Sequence, residues 1–512
     1  MTVPVIVVGA GPTGLTAATL LARHGVECQV LDRWASVYPL PRAVHLDDET
    51  YRVLARLGLA DEFAAISRPS RGLRLLDPDL RVLAEFPRDA AAGRNGYPAA
   101  NMFDQPDLER ILRANLVRHP GVTLRGDSEV TALSQDGTGR VRVDVTDRVT
   151  GRAETLFAAY VLGCDGANSV ARAAIGATVR DLGFTQRWLV VDVATDADLG
   201  RWEGVHQVCD PRRAATYMRV GPTRYRWEFR LSPGENAEDF HDTAALHPLL
   251  APWTGTVPVG ELEIVRLAEY TFRAQLADRW HDRRIFLLGD AAHLTPPFIG
   301  QGLCAGVRDA ANLAWKLAGV VHGTLPEGVL ATYEAERKPH ALAMIRLAKL
   351  VGAAMTEGGE LGDLLRRVVT AGLRRVPGIR RHVLDSETPP LCRSALVVRR
   401  RLGRGLAGRL CPNPIVDGRR LDDVVAGRFA LVTTDPTAGG HTGIADRQVA
   451  VVVARPGTEL HTWLRRGRAR AAVVRPDGTV LSAGRDLAAL CAALPTTPRS
   501  STSVSTAVDT PP

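Results

Sequence analysis

Two glycine-rich segments of this chain carry the residue types that could hold a phosphate-bearing ligand. The first, Gly9-Ala10-Gly11-Pro12-Thr13-Gly14, directly follows the β-branched run VPVIVV. The second, GDAAHLTPPFIGQGLCAG, runs from Gly289 to Gly306 after the apolar run IFLLG. Glycine turns at the start of a helix let backbone N–H groups approach an anion. The second segment adds an aspartate and two prolines, a combination that favours a stiff loop facing a ligand.

The first segment lies in a predicted βαβ unit. VPVIVV is typical of a buried parallel strand, LTAATLLARHG of a helix, and ECQVLDR of a second strand that ends on an acid. This order is typical of a dinucleotide site: a strand, GxGxxG, a helix, a second strand and an acid. In such a site the glycines allow a pyrophosphate to approach the backbone, and the acid binds ribose. The predicted binding residues are Gly9, Gly11, Pro12, Thr13, Gly14, Asp32 and its neighbour Arg33.

Composition limits the cellular setting. The chain has 512 residues, enough for two to four domains, and 45% hydrophobic residues, which is typical of globular proteins. It has no apolar run long enough to span a membrane and no signal-peptide pattern at its N-terminus, so we expect a cytoplasmic protein without a membrane partner. Seven scattered cysteines without a CxxC pair indicate a reducing compartment, and we predict no metal site.

The net charge is +8 with only 5% aromatic residues. Basic and aromatic residues are not interleaved as nucleic-acid binding would require, so we expect no nucleic-acid partner. A basic surface instead attracts anionic cofactors and substrates.

A third motif, VLGCDGANSVAR at residues 161–172, takes a predicted strand into Asp165-Gly166. Together the three motifs resemble the group A flavoprotein aromatic hydroxylases, the single-component FAD monooxygenases of the p-hydroxybenzoate hydroxylase fold. PRAVHLDDET, FDQPDLE, QRWLVVDV, RYRWEFRL and GQGLCAGVRDAANLAWKL look like the branch of 3-(3-hydroxyphenyl)propionate and aromatic polyketide hydroxylases.

The resemblance implies an α/β fold in which a β-sheet substrate domain is inserted into a Rossmann-type FAD-binding domain. The expected parts are residues 1–179 and 276–400 for FAD binding, 180–275 for the β-rich substrate domain, 410–492 for a thioredoxin-like domain without CxxC, and a disordered tail at 493–512. Within the first part, the pattern of residues 50–125 predicts mainly helices and loops.

The resemblance also implies residue roles around the flavin. Asp290 would bind the ribityl chain, and the backbone of Gly300, Gln301, Gly302 and Leu303 would face the pyrimidine end of the ring. Pro296 and Pro297 would form a wall beside the substrate. The remaining FAD contacts implied are Arg42, Gln105, Asp165, which also serves NAD(P)H, and Val130 near the adenine.

The implied activity is oxygen transfer to an aromatic ring through a flavin C4a-hydroperoxide. FAD would be bound non-covalently and O₂ would be consumed. NAD(P)H would be a transient co-substrate, as the resemblance implies, and the absence of a second GxGxxG agrees with this. A homodimer is the candidate assembly. No catalytic residue is identified. Substrate contacts are predicted at His45, His206, Tyr217, Arg219, Tyr270 and Pro296, and the alternating strands ATYMRV and RYRWEF are expected to supply an apolar pocket wall.

Three alternatives remain open from the sequence. The same chemistry serves Baeyer–Villiger insertion or epoxidation of a polyketide, and a non-catalytic flavin-binding protein would carry the same motifs. High arginine and alanine content suggests a high-GC bacterial source and favours a phenolic, polyketide-like substrate over a small phenylpropionate. A disulfide reductase is excluded because Cys28 has no partner cysteine nearby, and a flavin halogenase because WxWxIP is absent.

Overall fold

The computed structural model describes residues 2–40, 42–88, 93–137, 139–356, 388–399, 405–440 and 449–495. Within these ranges, every helix is too short or too polar to cross a lipid bilayer. Two large sheets, each of eight strands, dominate the fold.

The first sheet supports the glycine-rich segments. Its strands are β1 (Thr2–Val8), β2 (Cys28–Leu31), β8 (Val122–Arg125), β9 (Ser128–Gln135), β10 (Val141–Asp147), β11 (Ala153–Gly163), β17 (His281–Asp282) and β18 (Ile285–Leu287). The order is β17-β18-β11-β1-β2-β8, with β10 between β11 and β9. Strands β8, β2, β1, β11 and β18 are parallel, so the loops that follow them meet at one edge. Open parallel sheets bind ligands at this edge.

Eight α-helices of the described residues precede the C-terminal unit; the first and the seventh begin at the ligand-binding edge of this sheet, and the sixth packs against the second sheet. They are α1 (Pro12–Arg23), α2 (Asp48–Arg56), α3 (Ala60–Ile66), α4 (Gln105–Asn115), α5 (Val170–Ala174), α6 (Thr243–Thr254), α7 (Gly302–Val321) and α8 (Thr332–Thr356). Short 3₁₀ turns occupy Leu116–Arg118, Ala237–Phe240, Val259–Glu261, Gly289–Ala291, Pro297–Ile299, Glu327–Ala331 and Ala438–Gly440. A Cβ on Gly306 would lie 2.2 Å from Oγ1 of Thr13, so glycine at 306 allows α7 to approach α1 closely.

The second sheet lies over this edge. Its strands are β5 (Gly72–Leu76), β6 (Val82–Pro87), β12 (Val179–Ala194), β13 (Val205–Val208), β14 (Ala215–Arg219), β15 (Arg224–Arg230), β16 (Glu263–Ala277) and β19 (His293–Leu294), in the order β19-β16-β12-β15-β14-β13-β5-β6. Along β15, Tyr225, Trp227 and Phe229 point to one side, where they form a core with Leu250 of α6 and its neighbours. The other side of β15 carries charged residues, as period-two alternation requires.

The remaining strands form smaller units. β3 (His45–Asp47), β7 (Ala100–Phe103) and β4 (Ser67–Pro69) make a three-stranded sheet. The C-terminal unit contains β20 (Ile415–Val416), β21 (Arg419–Arg420), β22 (Ala430–Thr433), β23 (Ala450–Val453), β24 (Ala471–Val474), β25 (Val480–Gly484), α9 (Leu421–Val425), α10 (Glu459–Arg466) and α11 (Leu487–Ala492). Buried ion pairs join it to the rest of the chain, between Arg475 and Glu336 at 3.0 Å and between Arg52 and Asp422 at 2.6 Å.

The structure corrects one expectation about the elements. Residues 50–125 contain the strands β4 to β8 as well as helices, and β5 and β6 belong to the second sheet. Strand β5 forms a local hairpin with β6, and it also pairs in parallel with β13, which lies far along the chain. The distant pairing is what places this hairpin in the second sheet, and no local pattern indicates it. The segment expected as the substrate domain, 180–275, supplies most but not all of that sheet. Of the expected disordered tail, residues 496–512 lie outside the described residues.

Candidate active site

A cavity of about 430 Å³ lies between the ligand-binding edge of the first sheet and one face of the second. This volume is in the range of small-molecule sites. Thirteen of the residues singled out in the sequence line it: Gly11, Pro12, Thr13, Arg42, His45, Gln105, Tyr270, Asp290, Pro297, Gly300, Gln301, Gly302 and Leu303. The structure therefore brings the first and second glycine-rich segments to one cavity.

The three glycines of GxGxxG have different roles. A Cβ on Gly9, whose φ is +101°, would lie 2.4 Å from the carbonyl oxygen of Cys164. A Cβ on Gly14 would lie 2.0 Å from the carbonyl oxygen of Gly9. Both glycines are therefore required by packing, and neither lines the cavity. A Cβ on Gly11 would meet no atom within 4 Å, so this glycine leaves space at the cavity wall that a ligand could occupy.

Helix α1 begins at this open position. Gly11 is its N-cap residue and no side chain caps the helix. Pro12 has no N–H group, and its fixed φ suits the first helical position. The N–H groups of Thr13 and Gly14 are among those that an α-helix leaves without an internal partner, so this helix terminus can bind a pyrophosphate.

Asp32 and Arg33 lie outside the cavity wall. Asp32 is nearly buried, and its carboxylate accepts hydrogen bonds from the N–H groups of Ala10 at 2.5 Å and Trp34 at 2.8 Å. It thus ties the glycine loop to the end of β2. Arg33 is exposed, with its guanidinium 5.6 Å from the ring centre of Trp34. A ribose contact by Asp32 stays a prediction.

Asp165 and Val130 also do not line the cavity. Asp165 accepts hydrogen bonds from the hydroxyl of Ser169 at 2.6 Å and the N–H of Ala171 at 3.0 Å. These bonds fix the turn that leads into α5. Val130 is buried in β9. In this structure both residues have packing roles, and their cofactor contacts remain untested.

The turn after β18 presents Asp290 to the cavity. Its side chain is accessible there, while the surrounding protein raises its pKa by desolvation. The turn is held from behind by Asp309, which is completely buried. Asp309 accepts hydrogen bonds from the N–H of Gly289 at 3.1 Å and from Arg337 at 2.9 Å, and lies 2.8 Å from Nε2 of His293. This arrangement holds the turn that places Asp290 at the cavity.

The GQG loop begins with a residue that must be glycine. Gly300 has a φ of +61°, and a Cβ there would lie 2.5 Å from Nδ1 of His45. Helix α7 starts two residues later at Gly302, and the N-cap residue Gln301 makes no capping bond with its side chain. The N–H groups at Gly302 and Leu303 thus belong to a second open helix N-terminus at the cavity, where negative charge is stabilised.

The side chain of Gln301 is used to fix this loop. It donates to Oδ2 of Asp47 at 2.9 Å and accepts from Arg308 at 2.8 Å. Arg308 also pairs with Asp47, and both are buried. Burial alone would raise the pKa of Asp47, but Arg308 and hydrogen bonds from Thr50 and Gln301 lower it to about 2.

Arg42 and Gln105 lie on a third wall of the cavity. Gln105 accepts a hydrogen bond from the N–H of Ala43 at 2.7 Å, which fixes the loop that contains Arg42. The guanidinium of Arg42 lies 4.5 Å from the ring centre of Tyr38. The backbone carbonyl of Arg42 accepts a hydrogen bond from Arg226 of the second sheet at 2.7 Å. The loop is therefore anchored to both sides of the cavity.

His45 and Tyr270 are the predicted substrate residues that line the cavity. Nδ1 of His45 lies 3.4 Å from the carbonyl oxygen of Gly300. Burial, with Arg88 adding to the effect, lowers the pKa of His45 to about 4. The ring is therefore neutral at neutral pH, and its unprotonated nitrogen can accept a hydrogen bond. Pro296 precedes the cavity wall, and its neighbour Pro297 is part of it.

The structure corrects the expectation for His206, Tyr217 and Arg219. His206 and Tyr217 are buried on the far side of the second sheet, where their rings lie 5.3 Å apart and pack with Trp253. Arg219 is the last residue of β14, the strand that contains Tyr217, and it pairs with Glu203 at 3.1 Å. The alternation of these strands was recognised, but the aromatic face packs against α6 and the polar face lines the cavity.

Several important residues were missed because their roles depend on partners far along the chain. Arg308 and Asp309 stand in a long amphipathic pattern that gives no sign of what they meet. Asp47 lies in the acidic stretch LDDET, which is usually a solvated surface. Charged residues at buried helix positions are a usable signal, because an unpaired buried charge is costly.

The comparisons with known proteins agree with this geometry. The family described as FAD binding domain matches residues 2–348. A 3-(3-hydroxy-phenyl)propionate/3-hydroxycinnamic acid hydroxylase of Burkholderia vietnamiensis is 37% identical over 89% of this chain and 85% of the relative. A probable NADH-specific resorcinol 4-hydroxylase of Rhodococcus jostii is 34% identical over 95% and 93%. A ternary complex of aklavinone-11 hydroxylase with FAD and aklavinone superposes with a TM-score of 0.77 at 25% identity over 94% and 95%.

The described residues also fit FAD chemically. The open space at Gly11 and the uncapped start of α1 suit a pyrophosphate, and Asp290 offers a carboxylate at the cavity where a polyhydroxylated chain could bind. The match in sequence covers most of the chain. The chain therefore belongs to the FAD binding domain family, among the FAD-dependent aromatic hydroxylases.

Proposed function

We propose that the chain is a single-component monooxygenase that consumes NAD(P)H and O₂ and hydroxylates a phenolic, polyketide-like aromatic compound. The observation that carries this proposal is the cavity itself. One side of the cavity is built from the two glycine-rich segments, and the other side from the second sheet. A flavin ring and an aromatic substrate would therefore share one space between the two sheets.

Bound FAD would supply the electron transfer and the oxygen activation. The chain's residues would supply position and charge. Asp290 would orient the ribityl chain, and the N–H groups at the start of α7 would stabilise negative charge on the flavin. His45, neutral at neutral pH, could accept a hydrogen bond from a phenolic hydroxyl group. Pro297 and Phe298 would keep the ring wall rigid.

The relatives support the phenolic part of the substrate, since one is named for resorcinol and one for hydroxyphenylpropionate. The neighbour crystallised with aklavinone supports the polyketide-like part. The order β23-β22-β24-β25, with β22 and β23 parallel and the other pairs antiparallel, supports a thioredoxin-like assignment of the C-terminal unit. We assign that unit a structural role because it is joined to the rest by buried ion pairs.

The purified protein is expected to be yellow and to oxidise NADH or NADPH faster when a phenolic substrate is added. Product formed under ¹⁸O₂ should gain one labelled oxygen atom on an aromatic carbon, as shown by mass spectrometry and NMR. A product with an inserted ring oxygen would instead indicate Baeyer–Villiger chemistry. Yellow protein that oxidises neither nucleotide with any aromatic ligand would contradict the proposal.

Replacing Asp290 with alanine is expected to weaken FAD binding about 10- to 100-fold, because a hydrogen bond to a charged group contributes about 1.5–3 kcal/mol. Asp290→Asn keeps an acceptor oxygen and should lose less FAD affinity than Asp290→Ala. Titration of apoprotein with FAD, followed by flavin fluorescence, measures both. Equal dissociation constants for Asp290→Ala and the wild type would show that Asp290 does not contribute to FAD binding.

A further inference from the structure

A polar row crosses the cavity-facing side of the second sheet. Gln207 of β13 is paired with Thr216 of β14, and Thr216 with Glu228 of β15, so the three side chains stand next to one another. All three line the cavity. The hydroxyl of Thr216 donates to Oε1 of Gln207 at 2.9 Å, and the amide of Gln207 donates to the carbonyl of Ala215 at 3.0 Å. The donors of Gln207 and Thr216 are thus engaged within the sheet, and the row offers acceptors to the cavity.

Glu228 is the charged member of this row. Its side chain is 11% exposed, and within the described ranges its one ion-pair contact is Nη1 of Arg226 at 3.9 Å. That guanidinium already makes two hydrogen bonds to Asp192, at 2.6 and 3.0 Å, and a third to the carbonyl of Arg42 at 2.7 Å. The Arg226 guanidinium therefore lies between the carboxylates of Asp192 and Glu228. It is hydrogen-bonded to Asp192 and lies farther from Glu228. Burial raises the pKa of Glu228, as expected for a carboxylate that is only weakly compensated.

The lining side chains of β12, β13 and β14 around Glu228 are mostly apolar, while Arg226 lies beside it and four more arginines, Arg42, Arg88, Arg266 and Arg273, also line the cavity. Val190 is the cross-strand neighbour of Glu228 on the other side, and Trp188, Val205 and Met218 also line the cavity. An aromatic body lying against these side chains would place one substituent at the carboxylate. A hydroxyl there would donate the hydrogen bond that a buried carboxylate lacks, whereas a substrate carboxylate would be repelled.

We propose that Glu228 is a specificity-determining residue, which makes this cavity select a neutral aromatic compound with a hydroxyl at this position over one with a carboxylate there. The inference rests on the proposed function and narrows its substrate class to uncharged, polyhydroxylated aromatics. Gln207 and Thr216 act as positioning residues that hold the acceptor row in place.

The test uses two ligands with one skeleton, 3-(3-hydroxyphenyl)propan-1-ol and 3-(3-hydroxyphenyl)propionate. Calorimetry at pH 8 with the FAD-loaded protein gives both dissociation constants. The wild type should prefer the alcohol. Glu228→Gln keeps an acceptor and removes the charge, so alcohol binding should change less than about threefold while acid binding tightens about tenfold or more. Glu228→Leu should weaken alcohol binding about tenfold.

Glu85→Gln, on β6 and paired with Arg74 outside the cavity, is the matched control and should leave both constants unchanged. If Glu228 only supported the fold, replacing it would weaken the binding of both ligands together. The proposal is overturned if the wild type binds neither ligand or prefers the acid, or if Glu228→Gln leaves the ratio of the two constants unchanged. Selective binding without oxygenated product would uphold the role of Glu228 and contradict the proposed function.

Discussion

A chain carrying Gly11→Val will fold as the wild type does and will purify without FAD. The backbone at Gly11 is extended, with φ −75° and ψ 178°, which valine adopts readily. A Cβ there would meet no protein atom within 4 Å. It would occupy the space next to the open start of α1, where the pyrophosphate is expected. FAD affinity should therefore fall on the order of 100-fold or more, since close backbone approach is what this glycine provides.

Two other glycine substitutions make this result specific. Gly260→Val also adds a Cβ in open space, but outside the cavity, and should leave the protein yellow. Gly14→Val would place a Cβ 2.0 Å from the carbonyl of Gly9 and should disrupt the fold itself. Absorbance at 450 nm per mole of protein and the unfolding midpoint of the apoprotein separate the three cases. A yellow Gly11→Val protein would contradict the assignment of this loop.

The sequence predicted which glycine-rich segments line the cavity because their conformation is encoded locally. A strand, a glycine turn and a helix follow one another within a few residues at Gly11, and Asp290 stands at the end of an apolar run. Such patterns depend on backbone conformation that neighbouring residues dictate. The family resemblance added Gln105 and Arg42, which contribute to the same cavity from distant positions.

The substrate side could not be predicted to the same depth. Period-two alternation in RYRWEFR establishes that the strand has two unlike faces, but not which face meets the cavity. That choice depends on α6, which covers the aromatic face with Leu250 and Trp253. The alternation alone therefore does not indicate that Glu228 lines the cavity and that Tyr217 does not. The place of the β5–β6 hairpin in this sheet could not be predicted, because β5 joins the sheet through β13, which lies more than a hundred residues away.

Buried ion pairs are the other feature that a single sequence does not reveal. The exposed fractions of the Arg308 and Asp47 side chains are 4% and 0%, although both are charged. Glu49 lies 3.0 Å from Nε of Arg308, so one guanidinium serves two carboxylates and the amide of Gln301. This cluster stands directly behind the GQG loop, and its integrity should determine both stability and flavin geometry.

Replacing Arg308 with leucine should lower the free energy of unfolding by about 3–5 kcal/mol, because it leaves the Asp47 carboxylate buried without its cation. The loss should be largest at neutral pH. In the wild type, Arg308 holds the pKa of Asp47 at about 2, so the stabilisation is complete above about pH 4 and fades only as the pH falls through 2. In the variant, burial raises the pKa of Asp47 above its unfolded value, so protonation relieves the penalty and the difference from the wild type shrinks as the pH falls.

Urea unfolding of both FAD-loaded proteins at pH 7 and pH 5 measures this difference. Asp47→Leu combined with Arg308→Leu removes both charges and should recover much of the lost stability, because the cost comes from the unpaired charge rather than from the missing contact. The double variant should still bind FAD more weakly than the wild type, since Gln301 has lost both partners that fix its loop. A single variant that loses less than about 1 kcal/mol, or whose loss grows as the pH falls, would show that the cluster does not hold this loop.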